Sequence, residues 1–346
     1  MQKRRLSFDL LKLAATFAVV FIHLSTNVKT YADFVLLDTL SVRFQIYNTS
    51  VSLGCWCVGV FILLSGFSFL NPKKNVDFIY VSKKVRRLLL VLLFWNAFYQ
   101  LISMLAIGKL NIFESARRFA DMLKGESYYH LWFIYLVVIL YLLTPLLRMY
   151  IFKLKKRQLE YLLLISFVFL NVIPFAFSGV LPFNNYLKFI YYLPIYVCGY
   201  YICAFPPQKK IRRIIYSLGV LCFALTPVLN TLFYQKIVSL PDLVFTYPNS
   251  PTNMVTAVAL AIFFKEYFTE QRMSQRLKKA VSAMIGCSFG IYLCHVIFLE
   301  IAKILLLPLL YKYATLIEFP LAVIIFVLSY LLIFVLKKIP LINKLV

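Results

Sequence analysis

A polar stripe runs along the first apolar segment of the chain, residues 4–27, RRLSFDLLKLAATFAVVFIHLSTN. Steps of four, three, four, seven and four residues keep its members on one face of a helix; they are Arg5, Asp9, Lys12, Thr16, His23 and Asn27. Lys12 and His23 are therefore about three turns, or roughly 16 Å, apart along the axis. Ionisable groups within a membrane are costly unless they face a protein interior or a wet cavity, so the stripe is a hypothesis for a functional site.

Three histidines occur in the sequence, His23, His130 and His295, and each could act as a general base or a nucleophile. The alternative for each is a core histidine bonded to a neighbouring hydroxyl or carbonyl group. His23 is favoured as the functional one because the polar stripe lies below it. No two histidines share a short motif and no helix offers a close carboxylate, so we do not expect a metal site.

Lys12 has two interpretations. Asp9, three residues earlier, can neutralise it on the same helical face, in which case the pair merely tolerates burial. Alternatively, Lys12 meets an anionic ligand that enters from the cytoplasm. The second interpretation is favoured by the stretch 73–90, KKNVDFIYVSKKVRRLLL, which holds six cations and one acid and could bind anionic lipid or a phosphate. Within it, Arg86 and Arg87 can direct planar donors at a phosphate.

Composition identifies a polytopic membrane protein. The chain has 346 residues, 62% of them hydrophobic, and a mean hydropathy of +0.83, which no soluble protein requires. No long polar region separates the apolar segments, so we predict an all-α fold with one transmembrane domain over residues 1–346 and no appended soluble domain. The net charge of +24 does not indicate nucleic acid, because the basic residues lie in short loops between apolar spans. The N-terminal segment does not resemble a cleaved signal peptide.

Apolar runs predict about ten membrane spans, with both termini in the cytoplasm because every inner loop is then basic. The spans are 8–26, 51–70, 85–107, 131–149, 159–177, 187–205, 213–233, 251–269, 281–302 and 315–336. This topology places all three histidines in the outer half of the membrane or at its edge. The largest outer connections are 27–50 and 108–130, and the second contains Glu114, Asp121 and Glu126.

Small residues in the second span, GVFILLSGFSFL, indicate close helix packing rather than chemistry. Gly59, Ser65 and Gly66 would let a neighbouring helix approach closely. Ser65 lacks the G-x-S-x-G surroundings of a nucleophile elbow, so we do not assign it a catalytic role. The seven cysteines lie mostly in apolar runs without zinc-like spacing and are expected to pack among the helices.

Several of these segments resemble the bacterial acyltransferase-3 family of membrane O-acyltransferases. FDLLKLAATFAVVFIHLS is similar to the first helix of that family, in which an acid is followed by a cation and, after ten intervening residues, by a histidine. VFILLSGFSFL resembles its second helix, and KKVRRLLLVLLFW resembles the basic start of its third. HLWFIYLVVILYLLTPLLR and SFGIYLCHVIFLE resemble two further family segments, so the likeness covers the whole chain.

The resemblance implies transfer of an acyl group, usually acetyl, from cytoplasmic acyl-CoA to a hydroxyl of a surface glycan or a lipid-linked sugar. Carried over by position, His23 would be the essential histidine, with Asp9 and Lys12 as the charged pair below it. The expected donor and substrate contacts are Arg86, Arg87, His130, Trp132 and His295. Many members have arginine where this chain has Lys12; lysine keeps the charge but lacks the bidentate fork.

These expectations combine into a mechanism at the cell membrane. His23 would take the proton of the acceptor hydroxyl, whose oxygen attacks the thioester; an acyl-histidine intermediate is the variant. A CoA headgroup held on the inside could pass its pantetheine arm along the polar face to His23. Acyl-CoA would be a co-substrate, with no cofactor or metal bound. Expected partners are membrane lipid, the glycan or lipid-linked acceptor and proteins of glycan biosynthesis, but not nucleic acid.

Two other function classes suit a multispan protein with an intramembrane charged stripe. An exporter or flippase of a surface polysaccharide is the first, although the internal repeat with broken helices that is typical of transporters is not found in the sequence. The second is a sensor that keeps the fold without catalysis. Acyl-CoA-dependent labelling of an acceptor would separate all three.

Overall fold

A computed structural model describes residues 5–29, 40–107, 117, 128–176, 185–234, 244–340 and 342–346, and within them the fold is all-helical, as predicted. The acids of the second outer loop, Glu114, Asp121 and Glu126, lie outside the described residues. The main helices are α1 (Leu6–Lys29), α2 (Val42–Ser52), α3 (Cys57–Phe69), α4 (Phe78–Ile107), α5 (Trp132–Ile151), α6 (Lys156–Phe167), α7 (Ile173–Ala176), α8 (Leu193–Ala204), α9 (Lys209–Phe233), α10 (Pro251–Tyr267), α11 (Gln275–Met284) and α12 (Ser288–Leu336), the last kinked at Tyr313.

Each of the ten predicted spans falls on one or more of these helices. Eight stretches among the described residues are long and apolar enough to cross a membrane, from Leu6–Thr26 to Leu316–Leu336. The other two predicted spans are shorter: Phe189–Ala204 is an apolar helical stretch below that length, and α10 has 17 residues with Lys265 in its last turn. A straight helix needs about 20 residues to cross a bilayer. The orientation of the termini stays a prediction.

The chain divides into two compact units, each built from apolar helices. Unit 1 comprises Met1–Ser68 and Lys155–Ile333, and unit 2 comprises Phe69–Leu154 and Phe334–Val346. Unit 1 therefore holds α1, α2, most of α3, and α6 to most of α12, whereas unit 2 holds α4, α5 and the end of the chain. The expectation of one domain over residues 1–346 stays a prediction.

Helix α1 packs against other helices of unit 1, among them α2, α10 and α11. Its apolar faces are well buried, with Leu11 and Ala15 at 0% exposure. Leu13 forms a small core with Met273 and Val281, which brings the amphipathic helix α11 against the beginning of α1. Phe17 adds edge-to-face contacts with α12. These contacts fix the rotation of α1, and with it the direction of its polar stripe.

A buried polar network ties α2 to α9 and to the segment before α10. Asn48 Nδ2 donates to the main-chain oxygen of Pro227 at 2.6 Å and to Thr231 Oγ1 at 3.1 Å. Asn48 Oδ1 accepts from Asn230 Nδ2 at 3.0 Å, and Asn230 Oδ1 accepts from the N–H of Phe245 at 2.8 Å. Both asparagines are buried. Because each amide both donates and accepts, the network stabilises the fold rather than offering groups to a ligand.

Replacing Asn48 with leucine should destabilise unit 1 by roughly 2–5 kcal/mol, because its buried partner atoms would lose their hydrogen bonds without access to water. The midpoint of thermal unfolding in detergent micelles should fall by several degrees. Thr49→Ala is the matched control, since Thr49 is the next residue of α2 and its side chain is exposed. Equal midpoints for both variants would contradict a structural role of the network.

Candidate active site

Two histidines of unit 1, His23 on α1 and His295 on α12, contact each other through their rings. His23 Nδ1 lies 2.7 Å from His295 Nε2. The ring planes are parallel to within 9° and the ring centroids are 5.0 Å apart. This centroid distance is about the sum of the nitrogen–nitrogen distance and the two distances from a ring nitrogen to its own ring centre. The rings therefore meet edge to edge, as an in-plane hydrogen bond between them requires.

His295 is also held by its own helix. Its Nδ1 lies 2.7 Å from the main-chain oxygen of Tyr292, one turn earlier. The His295 side chain is fully buried, together with its neighbour Cys294, whereas His23 is only partly buried. The histidine pair thus has a sealed end at His295 and a more accessible end at His23.

The inner part of the α1 stripe carries Asp9, Lys12 and Thr16. Thr16 Oγ1 donates to the main-chain oxygen of Lys12 at 2.8 Å, so this hydroxyl bonds within its own helix. Lys12 is partly buried, and Asp9 is close enough to attract it electrostatically. This arrangement is compatible with both interpretations of Lys12. The side chain of Asn27, at the outer end of the stripe, lies outside the described residues.

The basic stretch 73–90 belongs to unit 2, where its one acid already has a structural role. Asp77 Oδ1 accepts from the N–H of Tyr80 at 2.7 Å and caps the beginning of α4. Burial and the nearby charge of Lys84 lower the pKa of Lys74. The positive charges of Lys74 and Lys84 lie close enough to disfavour each other, and a bound anion would offset part of that cost.

Arg148 shapes the loop that carries these cations. Its Nη1 donates to the main-chain oxygens of Phe69 at 2.8 Å and Asn71 at 2.9 Å, and its Nη2 donates to that of Lys74 at 2.6 Å. One guanidinium therefore gathers three carbonyl groups from the end of α3 and the loop after it. The sequence analysis did not single out Arg148.

Arg86 and Arg87 lie in the third turn of α4, which begins at Phe78, and not at the beginning of the helix as the predicted span 85–107 implied. Arg87 donates from Nε to the main-chain oxygen of Lys344 at 3.2 Å and from Nη2 to that of Val346 at 3.4 Å. Trp95 Nε1 donates to the Leu345 oxygen between them at 2.9 Å, so α4 holds residues 344–346. The Arg86 side chain is exposed.

His130 lies in an aromatic cluster of unit 2. The ring is 1% exposed and makes edge-to-face contacts with Tyr99, Tyr128 and Tyr129, at centroid distances of 5.2 to 5.8 Å. Trp132, two residues later, is exposed at the surface of the unit. The sequence analysis named His130 and Trp132 but did not anticipate the tyrosine cluster.

Within unit 1, the structure brings the predicted site residues His23 and His295 together. Asp9 and Lys12 lie on the same helix as His23. The other residues predicted to contact the donor or the substrate belong to unit 2; they are Arg86, Arg87, His130 and Trp132. Within the described part of the chain, no three His, Cys, Asp or Glu side chains converge in a way that could hold a metal ion.

Glu318 is a buried acid of unit 1 that the sequence analysis did not single out. It is 3% exposed in the second half of α12. The next residue, Phe319, contacts Phe17 and Phe21 of α1 at centroid distances of 5.7 and 6.4 Å. The sequence did contain a signal for Glu318, because an ionisable residue inside a predicted span such as 315–336 is a candidate functional residue.

Fold and site together define a multi-pass membrane protein with a pair of hydrogen-bonded histidines. A family model described as an acyltransferase domain matches residues 5–338, and the chain therefore belongs to the acyltransferase-3 family. This confirms the resemblance stated from the sequence and implies a membrane acyltransferase. No curated protein and no solved structure matched the chain.

Proposed function

We propose that this protein is an O-acyltransferase of the cell membrane that moves an acyl group, most simply acetyl, from acyl-CoA to a hydroxyl of a surface glycan or lipid-linked sugar. The observation that carries the proposal is the hydrogen bond between His23 and His295. One imidazole oriented by a second group is the arrangement of a general base. Family membership supplies the reaction class.

The proposed step is a direct transfer. Nε2 of His23 takes the proton of the acceptor hydroxyl while the oxygen attacks the thioester carbonyl. The new C–O bond forms, the C–S bond breaks, and the CoA thiolate leaves with the proton from the His23 imidazolium. The products are the acyl ester and CoA thiol, so atoms and charges balance without a metal or another cofactor.

Donor binding is proposed, on chemical grounds, for Lys12 in unit 1 and separately for Arg86 and Arg87 in unit 2. CoA carries phosphates, which lysine and arginine bind through charge-assisted hydrogen bonds. Lys12 lies about three turns, or roughly 16 Å, from His23 on the same helix, a distance that an extended pantetheine arm can cover along the stripe. Arg86 and Arg87 provide further positively charged side chains in unit 2.

Acceptor binding is proposed for the exposed ring of Trp132 and the aromatic cluster around His130. Aromatic faces pack well against the C–H face of a sugar ring.

The experiment that tests the function is acyl transfer by the purified protein in lipid nanodiscs. Acetyl-CoA labelled in the acetyl group is supplied with membrane glycolipids extracted from the native cells. Labelled glycan together with free CoA thiol supports an acyltransferase. Movement of glycan across a sealed vesicle without labelling would overturn the proposal in favour of an exporter, and neither result with a folded protein would favour a sensor.

Replacing Lys12 with alanine should raise the KM for acetyl-CoA roughly tenfold or more, because a hydrogen bond to a charged group contributes about 1.5–3 kcal/mol. The KM for acetyl-CoA of Lys12→Arg should stay close to that of the unchanged protein, since arginine keeps the positive charge. Initial rates at varied donor concentration measure both values, and thermal midpoints check folding. If a folded Lys12→Ala protein had an unchanged KM for acetyl-CoA, Lys12 would not bind the donor. Its pairing with Asp9 would then explain why a lysine is tolerated inside the membrane.

A further inference from the structure

The geometry points to His295 as a positioning residue that fixes the tautomer of His23, so that Nε2 of His23 carries the lone pair that takes the acceptor's proton. This role rests on the proposed function of His23 as the base. His295 itself is fully buried and acts through His23. The inference thus differs from the sequence-based expectation that His295 contacts a substrate.

The positions of the hydrogens follow from one carbonyl group. The main-chain oxygen of Tyr292 can only accept, so Nδ1 of His295, 2.7 Å away, carries a hydrogen. A neutral imidazole has one N–H, and Nε2 of His295 is therefore an acceptor. It lies 2.7 Å from Nδ1 of His23 and accepts the hydrogen of that atom. In neutral His23, the lone pair is then on Nε2.

A neutral His295 is the form that suits this environment. Its ring is at 0% exposure, and its contacts include the main-chain oxygen of Tyr292, which carries no net charge. A charge at this position would cost much desolvation free energy. The in-plane arrangement of the rings directs the Nε2 lone pair of His295 along the N–H of His23.

The other tautomer of His23 would be a poor base in this position. Two lone pairs would face each other at 2.7 Å, and Nε2 would carry a hydrogen and could not take a proton. When His23 in the favoured tautomer becomes an imidazolium, its Nδ1–H keeps donating to His295 and the bond becomes charge-assisted. In serine proteases a carboxylate orients the base; here an imidazole would do so without a permanent charge inside the membrane.

Nitrogen NMR of the full-length protein in nanodiscs, labelled with ¹⁵N-histidine, tests the tautomer directly. The chain has three histidines, so three rings contribute signals, and the variants His23→Gln and His130→Gln assign them. We expect protonated Nδ1 and unprotonated Nε2 for both His23 and His295. In His295→Leu the His23 signals should shift toward the other tautomer. Unprotonated Nδ1 of His23 in the unchanged protein would overturn the inference, whatever the activity.

Kinetics of two His295 variants provide the second test. His295→Leu removes the acceptor and should lower kcat about 100-fold or more, with little change in the KM for acetyl-CoA. In His295→Gln the side-chain oxygen can still accept from Nδ1 of His23 but cannot titrate, so most of kcat should return. A folded His295→Gln protein as slow as His295→Leu would overturn the positioning role. A correct tautomer without acyl transfer would instead count against the proposed function alone.

Discussion

Replacing His23 with alanine should lower kcat for acyl transfer between about 100-fold and 10,000-fold, the range that a general base typically contributes. The KM for acetyl-CoA should change little, because the cations proposed to bind the donor are retained. The reason lies in the local geometry: His23 is the accessible end of a histidine pair whose other end is sealed. Initial rates of the purified protein in nanodiscs measure both constants.

Thr26→Val is the matched control for this variant. Thr26 lies on the same helix, one turn after Ile22, and its hydroxyl donates to the main-chain oxygens of Ile22 and His23. Its loss should change kcat by no more than a few-fold, since those bonds lie within one turn of α1. If His23→Ala retained normal kcat at an unchanged thermal midpoint, His23 could not be the base and the direct-transfer mechanism would be excluded.

The sequence could predict the first half of the site because that half is local. Lys12 and His23 lie at helical spacing, so a single pattern predicts that they share a face. The partner of His23 is 272 residues away, and no periodicity within one segment contains such information. The alternative of a core histidine bonded to a carbonyl group does describe His295 and the Tyr292 oxygen. What the sequence lacked was the second contact, which connects that core histidine to the stripe.

The fold shows the same division between local and long-range information. The length of each apolar run predicted the spans, because a helix in lipid forms its backbone hydrogen bonds within its own segment. Arg148, in contrast, gathers three carbonyl groups that a charge count cannot anticipate. The Asn48–Asn230 contact joins residues 182 positions apart and depends on how the helices pack. The amphipathic helix α11 could have been recognised from its own pattern, with Leu277, Val281 and Met284 on one face.

Replacing Gly66 with alanine should destabilise unit 1 by roughly 3 kcal/mol or more, at the upper end of the cost of overpacking. A Cβ atom at Gly66 would lie 1.8 Å from the main-chain oxygen of Tyr196, and one at Gly199 would lie 2.0 Å from that of Leu63. Helices α3 and α8 thus cross with a glycine of each against the backbone of the other. This confirms the packing role expected for Gly66 in the second span.

Backbone atoms cannot rotate away as a flexible side chain can, so Gly66→Ala must push the two helices apart. The yield of folded protein in detergent and the thermal midpoint should both fall sharply. Ser65→Ala, one residue earlier on α3, already has its Cβ atom and should retain both stability and acyl transfer, in keeping with the absence of a nucleophile elbow around Ser65. A Gly66→Ala protein with the midpoint of Ser65→Ala would show that the helices can separate at little cost, and the close crossing would then not be what holds α3 in place.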